Sequence, residues 1–111
     1  MQGFKAVPLA ELRASLLKIA RQVRLKGARI AATHYGQEVG YLVPMKEVAS
    51  LDISEGRGDD VALTVFRAHI TEHWERLQFD IDCVYLTYHS RRVAAFLSPR
   101  LVERLASAQS S

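Results

Sequence analysis

The residues His69-Ile70-Thr71-Glu72-His73 are the clearest candidates in this sequence for metal chemistry. Two histidines four residues apart share one face of a helix, and the order H-x-x-E-H is that of the inverted zinc peptidases. Such an enzyme also needs a large scaffold and an acidic ligand downstream, and Glu103 is the only acidic residue after Asp82. A half-buried histidine on a helix is the favoured interpretation, so we predict no metal, no cofactor and no enzymatic activity.

Arg13 and Arg67 have the chemistry that suits nucleic acid, since each lies near the start of a predicted helix. A guanidinium group can form paired hydrogen bonds with guanine or clamp a phosphate, and the free N–H groups of a helix start favour the same anion. Ser15 and His69 lie two positions further along the chain and could reach the sugar–phosphate backbone. Lys5, in the arm before the first helix, could contact a phosphate or the minor groove.

Charge is distributed unevenly along the chain, whose net charge is +3. Residues 1–54 carry eight Lys and Arg against four Asp and Glu, a net charge of +4, whereas residues 55–111 have a net charge of −1. The first half is therefore the better candidate for an anionic partner. Two other readings stay open: a solvated helix face, and arginines paired with carboxylates such as Glu11, which are worth only ~0–1 kcal/mol.

A shift of the sequence against itself by 54 residues places residues 7–51 over 61–105 without a gap. Eight of these 45 positions are identical, and the apolar positions agree in class at many more. A pattern shared over the whole unit indicates an internal repeat rather than two unrelated amphipathic segments. The predicted organisation is one unit over residues 1–53, a polar, glycine-rich linker over 54–60, and a second unit over 61–111. His73 falls opposite the apolar Ile19 in this alignment.

Each unit is predicted to run strand, helix, hairpin, short helix. Pro8 suits an edge strand, Gly27 suits a helix end, and Ser98 before Pro99 is typical of a helix start. The predicted first-unit elements are a strand over 5–9, a helix over 10–24, strands over 28–33 and 38–43, and a helix over 44–51. The predicted second-unit elements are a helix over 63–78, strands over 82–87 and 92–97, and a helix over 99–107.

The two predicted hairpin turns carry side chains that could hydrogen-bond phosphates, namely His34, Tyr35, Tyr88 and His89. Solvated turn residues are the alternative. Cys83, the single cysteine, is predicted to be a small buried side chain, and its isolation fits a reducing, cytoplasmic location. No apolar run is long enough to span a bilayer, and no signal peptide is recognisable, so we predict no membrane association.

Three short motifs in the first unit carry a resemblance to a known family. Leu12-Arg13-Ala14-Ser15-Leu16 stands at the helix, Ala32-Thr33-His34-Tyr35-Gly36 at the hairpin, and an apolar strand leads into Val43-Pro44-Met45-Lys46-Glu47-Val48. In order and spacing these segments resemble "AR-x-N-L-S", "I-T-R-x-G" and "V-P/S-x-E-x-Y" of the N-terminal domain of the Phd/YefM antitoxin family. The resemblance covers residues 5–51 and, more weakly, 59–105.

The resemblance implies an α+β fold in which two tandem Phd/YefM-like units form an intrachain pseudo-dimer around a central antiparallel sheet. In that family two such domains bind operator DNA through the helix start, the N-terminal arm and the hairpin turn. Arg13 and Arg67 match the family's helix arginine, whereas His34 and Tyr88 stand where the family has a hairpin arginine. The family's toxin-binding tail is replaced here by the second unit.

The predicted function is a sequence-specific DNA-binding regulator of bacterial or plasmid origin, a repressor or autoregulator of a toxin–antitoxin type. Its predicted partner is double-stranded DNA with a palindromic operator, whose two half-sites face the two helix ends. The alternative is an antitoxin-like interaction module in which the second unit binds a toxin protein. Further self-association through an open edge strand is also possible on this reading.

Overall fold

The computed structural model describes residues 3–48, 57–79 and 81–103. Within them one mixed sheet of six strands carries six helices, which confirms the predicted α+β class. The first half contains β1 (Phe4–Pro8), α1 (Leu9–Ala14), α2 (Leu16–Lys26), β2 (Arg29–His34), β3 (Gln37–Val43) and α3 (Met45–Val48). The second half contains β4 (Gly58–Ala62), α4 (Leu63–Ala68), α5 (Ile70–Phe79), β5 (Cys83–Tyr88), β6 (Arg91–Leu97) and α6, helical over residues 99–103.

The sheet is built from two halves of the same topology. Its strand order is β1-β2-β3-β6-β5-β4, and the strands of the second half begin and end 54 residues after those of the first. An antiparallel pairing of β3 with β6, from Tyr41 opposite Leu97 to Val43 opposite Ala95, joins the halves. Each half also has a register shift at the same place in its hairpin, after Ala32 and after Leu86.

Both edge strands differ from the predicted antiparallel arrangement. β1 pairs in parallel with β2, and β4 pairs in parallel with β5, so only the four central strands are antiparallel. The reason is that a helical crossover separates each edge strand from its neighbour, and such a connection returns the chain in the same direction. β4 also begins at Gly58, inside the segment predicted as a linker, because the chain from Gly58 to Ala62 pairs in parallel with β5. Asp59 and Asp60 on this strand form ion pairs with Arg76 and Arg92.

Each long helix predicted from the sequence is divided in two. The predicted helix over 10–24 breaks at Ser15, and the predicted helix over 63–78 breaks at His69. Hydrogen bonds from Ser15 N–H to Glu11 O and from Ile19 N–H to Ser15 O continue across the first break, so it is a kink rather than a loop. The apolar spacing continued through both breaks, which is why the sequence did not reveal them.

The four helices α1, α2, α4 and α5 cover one face of the sheet. Their buried side chains form one continuous core with alternate residues of the strands, centred on Leu12, Leu42, Phe66 and Phe96. The long helices cross the seam between the halves, since α2 contacts β6 and α5 contacts β3. The two halves therefore share a core that neither would bury alone.

A smaller cluster on the other face of the sheet lies beneath α3 and α6, with Val43, Cys83 and Leu97 among its buried members. Ser98 begins α6 as predicted, because its Oγ accepts a hydrogen bond from Leu101 N–H at 3.2 Å. The predicted ends of both short helices, at residues 51 and 107, lie outside the described residues. None of the described helices is long and apolar enough to cross a membrane.

Candidate nucleic-acid interface

A shallow groove between α1 and α4 brings the two predicted helix arginines together. The groove has a volume of about 380 Å³ and lies where the first helices of the two halves contact each other. Its lining consists of small side chains and two cations: Ala10, Ala14, Ala68, Thr64, Arg13 and Arg67. Residues 54 positions apart in the sequence therefore face one shared surface.

Buried apolar side chains hold each arginine in place. Leu9 and Leu12 anchor α1 to the core, and Leu63 and Phe66 do the same for α4, so the next residue in each helix points outward. The position differs from the prediction in one respect. Arg13 and Arg67 lie in the last turn of a six-residue helix, not at its start, and so each is separated from the free N–H groups of that helix start.

The charge of the groove is not neutralised from within. Among the residues that the structure describes, neither Arg13 nor Arg67 forms an ion pair, and the suggested pairing with Glu11 is not present. Both arginines are exposed. Three alanines around them leave space for a bound group to approach the helix surface, and the methyl groups could contact thymine. The arrangement can hold a phosphate or the edges of bases.

Ser15 and His69 occupy the two kinks that follow these arginines. Ser15 is half-buried, and His69 is exposed but lies 3.5 Å from Glu72 through Nδ1 and Oε1. The neighbouring carboxylate makes His69 the poorer phosphate ligand of the two. Lys5 is exposed on β1, at the outer edge of the sheet.

The four turn residues do not join the arginine groove. Tyr35 and His89 both have positive φ, as two-residue hairpin turns require, and both are exposed. Each turn reaches the long helix of the other half: the ring of His34 lies 5.8 Å from that of Trp74 on α5, and Tyr88 lines a second groove beside α2. These side chains flank the helical face at two separate places.

The sequence argument missed the basic face of α2. Its exposed residues Lys18, Arg21, Arg24 and Lys26 have no ion-pair partner in the described part of the chain, and α2 contains no acidic residue. The signal was visible in the charge difference between the halves. Counting charges for each predicted element, rather than for each half, would have assigned the excess positive charge to this helix.

The two histidines of the H-x-x-E-H segment lie in different surroundings, since His69 is exposed and His73 is buried. The centre of the His73 ring lies 5.5 Å from that of Phe66, on which it is stacked, and within the described residues neither ring nitrogen has a hydrogen-bond partner. Burial lowers the pKa of His73, as do the positive charges of Arg76 and His69. No group of three potential metal ligands occurs among the described residues.

Cys83 is fully buried, as predicted, and belongs to the smaller cluster beneath α3 and α6. Burial raises the pKa of its thiol to about 12, so the thiolate needed for nucleophilic chemistry is scarce at neutral pH. The side chain behaves as a small apolar group.

Comparison of the chain with protein-family models, curated proteins and solved structures gives no match. The functional argument therefore depends on the geometry of the helical face.

Proposed function

We propose that this protein is a sequence-specific DNA-binding regulator, a cytoplasmic repressor of bacterial or plasmid origin. On this proposal two tandem Phd/YefM-like units form an intrachain pseudo-dimer, and the groove between α1 and α4 contacts the operator. One observation carries the proposal: Arg13 and Arg67, from equivalent positions of the two halves, line a single groove and have no ion pair within the described residues.

Two guanidinium groups in one groove change the expected mode of binding. Separate half-sites would need two distant helix ends, whereas here both arginines would contact the same short stretch of duplex. Because the arginines come from equivalent positions of two similar halves, a stretch that reads alike on both strands suits them best. We therefore expect Arg13 and Arg67 to contact the centre of a palindrome, through bidentate hydrogen bonds to guanine or through phosphates.

The regions beside the groove provide unequal support. α2 presents four exposed cations, whereas α5 carries Glu72 and Glu75 at the positions of Lys18 and Arg21. Nonspecific attraction to phosphates should therefore come mainly from the first half. Lys5 and the turn residues are secondary candidates for backbone contacts on this proposal.

A mobility-shift assay with the DNA upstream of the protein's own gene tests the proposal, at low and at physiological salt. Wild type should bind one site in preference to competitor DNA, and Arg13→Ala and Arg67→Ala should each weaken that binding about tenfold. Lys46→Ala is the matched control, since it removes an exposed positive charge from α3, on the other face of the sheet. Equal losses from the control, or no preferred site for wild type, would refute the proposal.

A further inference from the structure

A second groove lies beside α2, distinct from the arginine groove. Its volume is about 630 Å³, and Leu17 and Leu25 on its rim are 50% and 63% exposed. The lining combines apolar side chains, Leu17 and Leu25 among them, with the cations Lys18, Arg21 and Arg24. A groove that is both apolar and cationic is suited to an amphipathic acidic ligand.

In the second half of the molecule, a tryptophan side chain occupies the position that corresponds to this groove. Ala20, on the floor of the groove, corresponds to Trp74 at the 54-residue offset. The Trp74 side chain packs on the core and against His34, the counterpart of Tyr88. Gln78, the counterpart of Arg24, closes this region by donating a hydrogen bond to Val39 O at 3.3 Å. The groove beside α2 is thus the place where an indole is present in one half and missing in the other.

The charges around the two places are also reversed. Lys18 and Arg21 correspond to Glu72 and Glu75, so two cations flank Ala20 where two carboxylates flank Trp74. A ligand that supplied an aromatic ring and nearby carboxylates would therefore complete the first half in both shape and charge.

We propose that the groove beside α2 binds an acidic segment of a partner protein that inserts an aromatic side chain over Ala20. The apolar rim favours protein over nucleic acid, since a phosphate backbone gains nothing from Leu17 and Leu25. A second copy of this chain fits less well, because its own acidic helix has its tryptophan packed on its own core. The proposal goes beyond DNA binding. Its groove shares the cations of α2 with the phosphate attraction proposed above, but it contains neither Arg13 nor Arg67.

The aromatic ring and the charges would have different roles. A buried aromatic anchor provides most of the affinity of such a contact and limits dissociation. The exposed cations Lys18, Arg21 and Arg24 would mainly accelerate association, in a salt-dependent way.

The test uses the full-length chain and a short fluorescein-labelled peptide with a central tryptophan flanked by glutamates. Fluorescence anisotropy should show saturable binding, and replacing the tryptophan of the peptide by alanine should weaken it about tenfold or more. Ala20→Trp should abolish binding by filling the groove as Trp74 does in the other half. The double substitution Lys18→Glu/Arg21→Glu, which tests charge without adding volume, should weaken it by a similar factor.

Lys26→Glu is the matched control, because it reverses an exposed charge on the same helix outside the groove lining, and it should change binding less than twofold. Unchanged binding to both Ala20→Trp and the double variant, or no binding by wild type, would overturn the proposal. So would a sedimentation experiment in which wild type alone self-associates and Ala20→Trp does not, since the occupant would then be a second copy. Loss of peptide binding by Ala20→Trp with DNA binding intact would support the proposal independently of the regulator function, because this substitution leaves the cations of α2 unchanged.

Discussion

The two halves of this molecule share a backbone plan and differ in what their equivalent positions hold. Most buried strand and helix positions keep their class: Leu16 corresponds to Ile70 and Ile30 to Val84, and all four are buried. Exposed positions on the long helices diverge, so that α2 is basic and α5 carries two glutamates. The comparison teaches that packing limits change in the core, whereas the surfaces of the halves are free to take different roles.

One difference between the halves lies in the closely packed contact between the inner strands β3 and β6. A Cβ atom built on Gly40 of β3 would lie 2.4 Å from Cζ of the fully buried Phe96 on β6. The counterparts of Gly40 and Phe96 are Ala94 and Leu42. The pair of Gly40 and Phe96 thus joins a glycine of one half to a phenylalanine of the other. The equivalent pair, Ala94 and Leu42, has a larger and a smaller side chain at these positions.

Replacing Gly40 by alanine should give the largest loss of stability. We expect Gly40→Ala to lower the free energy of unfolding by about 1–3 kcal/mol, because the Phe96 ring must move within a close-packed core. Phe96→Leu should restore part of that loss, so that the double variant couples favourably by about 0.5–3 kcal/mol. Urea denaturation of the four proteins measures this coupling, and strictly additive losses would contradict the packing account.

A buried histidine marks the second difference, since His73 stands where the first half has Ile19. Both nitrogens of His73 lack hydrogen-bond partners in the part of the chain that the structure describes, and burying such groups costs stability. We expect His73→Ile to raise the free energy of unfolding by about 1–3 kcal/mol at neutral pH. Thermal or urea denaturation measures the change, and a loss of stability would show that the histidine makes a favourable contact.

The difference between His73 and Ile19 should also appear in the pH dependence of the free energy of unfolding. The pKa of His73 in the folded protein is below its ordinary value of 6.5, so the unfolded chain binds this proton more readily. As far as His73 is concerned, the free energy of unfolding of wild type should be highest above about pH 6.5. It should decrease as the pH falls from 6.5 through the lowered pKa of His73. His73→Ile should flatten that part of the profile. His69→Ile removes one of the smaller causes of the lowered pKa and should leave most of the His73 contribution in place, because burial is the largest cause.

A third difference, with the smallest expected effect on stability, involves an ion pair on the edge strand of the second half. In the second half Asp60 pairs with Arg92 at 2.7 Å, and that guanidinium also lies 3.9 Å from the Tyr85 ring centre. Ala6, Glu38 and Ala31 occupy these three positions in the first half. The hydrogen bond from Arg92 lowers the pKa of Asp60 below its ordinary value of 3.8.

Asp60→Asn should therefore lower the free energy of unfolding by less than about 1 kcal/mol at neutral pH, because the pair is exposed and screened. The contribution of the pair in wild type should be present above pH 3.8 and lost as the pH falls through the lowered pKa. Denaturation at low and high salt measures it. A loss that does not diminish with salt would show that packing rather than charge is responsible.

Much of this fold followed from the sequence because its signals are local. Apolar spacing gave the helical segments and all the described strands except β4, most of which falls in the predicted linker, and the 54-residue offset gave the duplication. The kinks at Ser15 and His69 did not follow, since apolar spacing continues through them. Nor did the parallel edge strands, because alternation along a strand says nothing about the direction of its neighbour.

The candidate site was predictable in part. Arg13 and Arg67 were identified by residue type and position, but their meeting in one groove depends on the contact between α1 and α4, which is set by the shared core. The groove beside α2 could not be recognised from α2 alone. It follows from the absence of a large side chain at Ala20, and only the presence of Trp74 in the other half shows what is missing.

The most direct test of the central claim, that Arg13 and Arg67 contribute equally to one DNA site, is the salt dependence of operator binding. Binding constants for wild type, Arg13→Ala and Arg67→Ala should be measured over a series of salt concentrations with the same upstream DNA. If each arginine contacts a phosphate, each substitution should lower the slope of log K against log salt by about 1. If they contact bases, both should lose affinity equally at an unchanged slope. An effect of Arg13→Ala without an equal effect of Arg67→Ala would contradict the account.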